Sequence, residues 1–174
     1  MNSAIARLST LYGRLLDALV FVACILLLVM TVMIGADVAS RNAGAGIAAS
    51  NELSEDILYL MTLLAAPWVL RQGQHIRVDI LLRALPARMA WFLEWVGDTV
   101  GLLCCLYFVW YGYLITIASY KAGSVNIKTL VTPEWWTLAP LPIAFALLGL
   151  EFLFRMYRLS ATEPGVREDA VTVA

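Results

Sequence analysis

The stretch TVGLLCCLYFVWYGYLITIASY, Thr99 to Tyr120, runs for 22 residues without a charged side chain. At 1.5 Å per residue a helix of that length crosses the roughly 30 Å hydrocarbon layer of a bilayer. Outward from it lie three more uncharged runs: Ala18 to Ala36 (19 residues), Ile57 to Leu70 (14) and Trp135 to Leu150 (16). The last two reach spanning length only by borrowing Asn51 to Asp56 and Glu151 to Phe154. A soluble globule also accommodates apolar helices that short, but 61% hydrophobic residues and a mean hydropathy of +0.80 leave too little polar surface to coat one. The chain therefore reads as an all-α integral membrane protein of four transmembrane helices, at about 15–36, 51–70, 91–118 and 135–156. These form a membrane domain over 15–158, between an N-terminal segment 1–14 and a tail 159–174.

Orientation follows from the cations, because Lys and Arg next to a span are retained on the cytoplasmic side. Arg7 and Arg14 precede the first span, Arg71, Arg77, Arg83 and Arg88 separate the second from the third, and Arg155, Arg158 and Arg167 follow the fourth, making nine of the twelve basic residues. Both termini are thus expected in the cytoplasm, with two short loops outside. The first apolar run exceeds the roughly 7 to 15 residues of a cleaved signal peptide and reads as an uncleaved anchor. A net charge of −1, with no basic cluster, gives no reason to expect a nucleic-acid partner.

Residues with chemistry of their own are sparse. Cys24, Cys104 and Cys105 fall inside predicted spans, where thiols act as small apolar groups, and adjacent cysteines on a helix are not a C-x-x-C redox pair. His75 is the one histidine, so neither a bis-histidine haem bundle nor a His/Cys metal site can be assembled. No nucleophile-elbow, zinc-protease or phosphate-loop pattern occurs. Neither a catalytic residue nor a cofactor is expected in this chain.

The remaining signals are polar residues at the edges of the apolar layer. Glu52, Glu55, Asp56 and Tyr59 stand at helical spacing and share one face at the start of the second span. They read either as interfacial carboxylates favoured at a helix N-terminus or as groups drawn inward to face protein or a wet cavity. Asp37 and Arg41, four apart, predict a helical ion pair just past the first span. Between the second and third spans, Val78, Leu81, Leu82, Leu85 and Met89 recur at helical spacing while Arg77, Arg83 and Arg88 supply a polar side, which describes a short amphipathic interfacial helix. Pro86 should end it and open the next helix, leading through Trp91 and Trp95 and placing Glu94 and Asp98 at the membrane entrance. Trp91, Trp95, Trp135 and Trp136 suit interfacial belts with wet indole N–H groups. Pro140 and Pro142 should kink or unwind the start of the fourth span.

Glu52-Leu53, the run Arg71-Gln72-Gly73-Gln74-His75-Ile76-Arg77-Val78-Asp79, Leu85-Pro86, Pro133-Glu134-Trp135 and Leu141-Pro142 together resemble the small membrane subunit, the DctQ-like small permease, of tripartite ATP-independent periplasmic (TRAP) transporters. The resemblance implies a three-part system in the bacterial inner membrane. This chain would brace a large multi-span permease subunit that carries the substrate and sodium sites, and a periplasmic substrate-binding protein would deliver an organic acid, such as a carboxylate or sialic-acid-like molecule. It also implies that Glu52, Arg71, His75, Arg77 and Asp79 order the inner loop and meet the partner or lipid head groups; Trp91, Trp95 and Trp135 join them as interface candidates. Independently, no internal repeat and no charge in the middle of a span is found, whereas complete secondary transporters usually show paired repeats around a midplane site. The alternatives are a homodimeric four-helix exporter, which would need a midspan glutamate in the first helix, and a membrane anchor for a redox or signalling complex.

Overall fold

A computed structural model describes residues 3–42, 44, 46–47, 49–72 and 87–160. Four long apolar helices dominate them: α1 (Ser3–Asn42), α2 (Ser50–Arg71), α3 (Ala87–Ala122) and α5 (Pro140–Ser160), the last preceded by the short α4 (Glu134–Leu138). All four apolar runs lie in helices long and apolar enough to cross a membrane. The chain is a multi-pass membrane protein.

The helices outreach the runs that predicted them. α1, with 40 residues, is about 60 Å long and α3, with 36, about 54 Å, against a hydrocarbon layer of about 30 Å. Backbone groups are satisfied within a helix wherever water is scarce, so the helix continues through the flanking polar residues instead of stopping at the apolar boundary. The expected interfacial helix and Pro86 lie outside the described residues. From Ala87 onward α3 is one uninterrupted helix through Trp91 and Trp95.

α2 packs between α1 and α5, and α5 packs between α2 and α3, so the fourth span is inserted between the second and third. Close approach of α3 and α5 depends on glycine. A Cβ on Gly101 would stand 2.4 Å from the Phe152 ring and one on Gly112 2.8 Å from Leu141. These glycines are three turns apart and share a face. Between them Phe108 stacks on Phe145 with centroids 4.6 Å apart.

One departure from an all-α architecture stands among the described residues. α3 ends at Gly123, whose φ of +63° lets the N–H groups of Gly123 and Ser124 turn back to the carbonyls of Tyr120 and Ser119, a Schellman stop. The chain then forms an antiparallel hairpin, β1 (Val125–Ile127) with β2 (Val131–Pro133), pairing Ile127 with Val131 and Val125 with Pro133. Its strands are too short for sequence alternation to reveal them. At the prolines α4 stops at Leu138 and α5 starts at Pro140, whose missing N–H is harmless at a first helical position; Ala139 between them keeps helical dihedrals and bonds back to Trp135, so the helix is interrupted for one residue and not unwound.

Few side chains are fully enclosed, and several are polar: Asp37, Ser50, Asp98, Ser119 and Glu151 are buried. Large apolar side chains face outward, Phe21 and Leu28 on α1 and Trp110 on α3 among them. A bilayer reverses the usual cost of exposing them.

Candidate functional site

The polar side chains gather at the two ends of the helix row. At one end lie the start of α1, the end of α2, the start of α3 and the end of α5. Here Glu151, with 1% of its side chain exposed, pairs with Arg158 on its own helix and stands 3.8 Å from Nη1 of Arg71 on α2. Arg71 donates through Nη2 to the Ser9 carbonyl at 3.1 Å and lies over the Tyr12 ring. Tyr12 donates to the Leu147 carbonyl at 2.7 Å, and Trp68 Nε1 donates to Asp17 at 3.0 Å. These contacts join α1, α2 and α5. Beside them Arg155 of α5 approaches the buried Asp98 of α3 at 3.0 Å, so one face of α5 ties in the remaining helix.

This arrangement adds what the sequence did not show. Asp98, near the start of α3, is buried and ion-paired. Glu151 lies within the last helix, as its loan to that span required, and is fully enclosed there. The available signal was Glu151, Arg155 and Arg158 at i, i+4 and i+7, one face of a helix. Removing charge from water is costly unless oppositely charged partners are present, and three arginines against two carboxylates supply them.

At the other end the hairpin closes the row. Glu52, in the first turn of α2, accepts from the Thr129 N–H and hydroxyl at 2.8 Å each and from the Leu130 N–H at 3.3 Å. Its two oxygens thus hold the hairpin tip. Lys128 pairs with the exposed Glu55 at 3.3 Å, and Ser119 donates to Glu134 at 3.0 Å. Asp37 forms the expected pair with Arg41 at 2.8 Å and also accepts from the Ile47 N–H at 2.8 Å, which anchors the loop after α1. The stripe on α2 therefore divides: Glu52 is half-buried and engaged, while Glu55 and Asp56 are exposed.

The sequence-derived candidates do not converge on one site. Glu52 and Arg71 sit at opposite ends of α2. Trp91 and Trp95 are ring neighbours with centroids 6.0 Å apart; their Nε1 atoms are enclosed and lack a partner among the described residues, whereas wet indoles were expected. Trp135 packs edge-on against Tyr120 and Trp136. His75, Arg77 and Asp79 lie outside the described residues.

Among the described residues no group of three His, Cys, Asp or Glu is placed to hold a metal, and Cys24, Cys104 and Cys105 are free thiols. A cleft of about 510 Å³ is walled by Leu60, Leu63, Leu64, Trp135, Pro140 and Ile143. Its lining carries no charge with which to hold an ionised solute. The described chemistry is that of helix fastening.

Comparison with curated proteins gives no match. A family model does match, over residues 30–162, which takes in most of the four-helix domain, the hairpin and the polar clusters except for Ser9, Tyr12 and Asp17; its description is "Tripartite ATP-independent periplasmic transporters, DctQ component". A four-span chain fastened at both ends, with that match across three quarters of its length, belongs to the DctQ component family of tripartite ATP-independent periplasmic transporters.

Proposed function

We propose that this chain is the small scaffold subunit of a sodium-driven, binding-protein-dependent importer of an organic acid, a carboxylate or sialic-acid-like molecule. The family makes it a transporter component and not an enzyme, associated with a large permease and a substrate-binding protein. In this reading the substrate and sodium sites belong to the permease, and this chain braces it in the bacterial inner membrane. The observation that carries the reading is the double fastening. Ion pairs and hydrogen bonds join α1, α2, α3 and α5 at one end, and Glu52 pins the hairpin across the other. A frame tied at both ends suits a static support.

Cytoplasmic termini belong to the same proposal. Arg71, Arg155 and Arg158 lie at the end where α1 begins and α5 stops, which supports that side as the one where cations are retained. Trp91, Trp95 and Trp135, with His75, Arg77 and Asp79, are proposed to meet the permease or lipid head groups. Glu52 and Arg71 act there through the intrachain contacts they already hold.

Reconstitution tests the reading. Vesicles containing the large permease and this chain, supplied with the binding protein, should take up the acid under an inward sodium gradient, and vesicles lacking this chain should not. Undiminished uptake without it removes the scaffold role, and pumping by this chain alone favours the homodimeric exporter.

A further inference from the structure

α3 lies at one end of the helix row and packs on α4 and α5, so much of its circumference is uncovered. Along its exposed side Val96, Val100, Leu103, Tyr107, Trp110 and Leu114 follow at alternating steps of four and three, the spacing of a seam that lies against another helix. Tyr111 flanks this seam with its ring 4.5 Å from that of Tyr107, centroid to centroid. Tyr107 is 57% exposed, Trp110 64% and Tyr111 48%.

Depth makes these phenols informative. The buried polar residues Asp98 and Ser119 bracket the apolar part of α3, about 31 Å apart along its axis. Tyr107 lies about 13 Å from the first and about 18 Å from the second, and Tyr111 about 19 and 12 Å. Neither level is interfacial. The hydroxyls of Thr31 and Thr62, inside the apolar spans of α1 and α2, avoid the cost of such depth by bonding the carbonyl one turn back, and Tyr12 donates to Leu147. A phenol ring holds its O–H away from its own backbone and forbids the first solution. Among the described residues neither Tyr107 nor Tyr111 has a hydrogen-bond partner. Hydrocarbon tails offer no acceptor, so a lipid-facing seam leaves both groups unsatisfied.

We propose that the Tyr107–Trp110–Tyr111 face of α3 is where the large permease subunit docks, through a membrane helix that presents a hydrogen-bond acceptor at mid-depth. The proposal rests on the association with the permease described above and adds where that contact lies. A symmetry-related copy of this chain fits less well. Phenol against phenol satisfies one donor of each pair and leaves the other O–H without an acceptor.

The test uses the whole transporter in native membranes. A photoreactive benzoylphenylalanine replacing Trp110 should crosslink to the permease. The double variant Tyr107→Phe/Tyr111→Phe should copurify about tenfold less permease, the scale of two interhelical hydrogen bonds in lipid, while the amount and thermal midpoint of the isolated chain stay unchanged. Crosslinks to lipid or to a second copy alone overturn the proposal. So does full copurification of the Phe variant with crosslinks arising instead from a probe at Phe21 on α1, a result that leaves the association intact. Failure of the unaltered chain to copurify any permease removes the association itself, and this surface with it.

Discussion

Glu151 is the residue on which the helix packing is most exposed to a single change. Its carboxylate is enclosed between Arg158 and Arg71, and a neutral group there leaves Arg71, 24% exposed, without its counter-charge. Glu151→Gln should therefore destabilise the chain by about 3 kcal/mol, read as a lower thermal midpoint in detergent. Glu151→Leu combined with Arg71→Met should recover part of that loss, since the more enclosed of the two arginines then goes with the carboxylate and Arg158, 46% exposed, stays solvated. An unchanged midpoint for Glu151→Gln would mean that the cluster is hydrated and contributes little. At the opposite end, Glu52 accepts three hydrogen bonds from two consecutive residues of the hairpin tip. Glu52→Gln replaces an acceptor oxygen by a donor and should release the tip. A cysteine at Thr129 should then react faster with a membrane-impermeant maleimide than it does beside the native Glu52.

At the scale of elements, the contact between α3 and α5 is set by what Gly101 lacks. Adding a methyl there drives it into the Phe152 ring, an overpacking that should cost about 1–3 kcal/mol. Gly101→Ala is expected to lower the thermal midpoint and Gly101→Ala/Phe152→Leu to restore part of it. Absence of that rescue would show that the methyl acts through the backbone and not through the ring. These helices also show how far sequence reading reached. The centre of α3 was legible from its uncharged run, and the break before Pro140 from the two prolines. The hairpin was not, because three-residue strands carry too little alternation and are held by Glu52, which is 77 residues away from Thr129 in the chain.

For the whole molecule, the two fastenings are separated by the length of α2, from Glu52 to Arg71 about 28 Å. Sites that far apart with no shared partner act independently. The midpoint shifts of Glu151→Gln and Glu52→Gln should accordingly sum in the double variant. A shift clearly larger or smaller than the sum would show that the row of helices transmits strain from end to end.

The chain by itself determined that it lives in a membrane, how many times it crosses, and which family it joins. Hydrophobicity is a property of consecutive residues, and the family motifs are local runs such as Arg71 to Asp79. The order of the helices, with α5 between α2 and α3, was decided only in three dimensions. So was the meaning of the charges: Asp98 finds Arg155 from 57 residues away, and Arg71 finds Glu151 from 80. In lipid a buried charge is defined by the partner that compensates it, and no spacing along one helix names a partner on another.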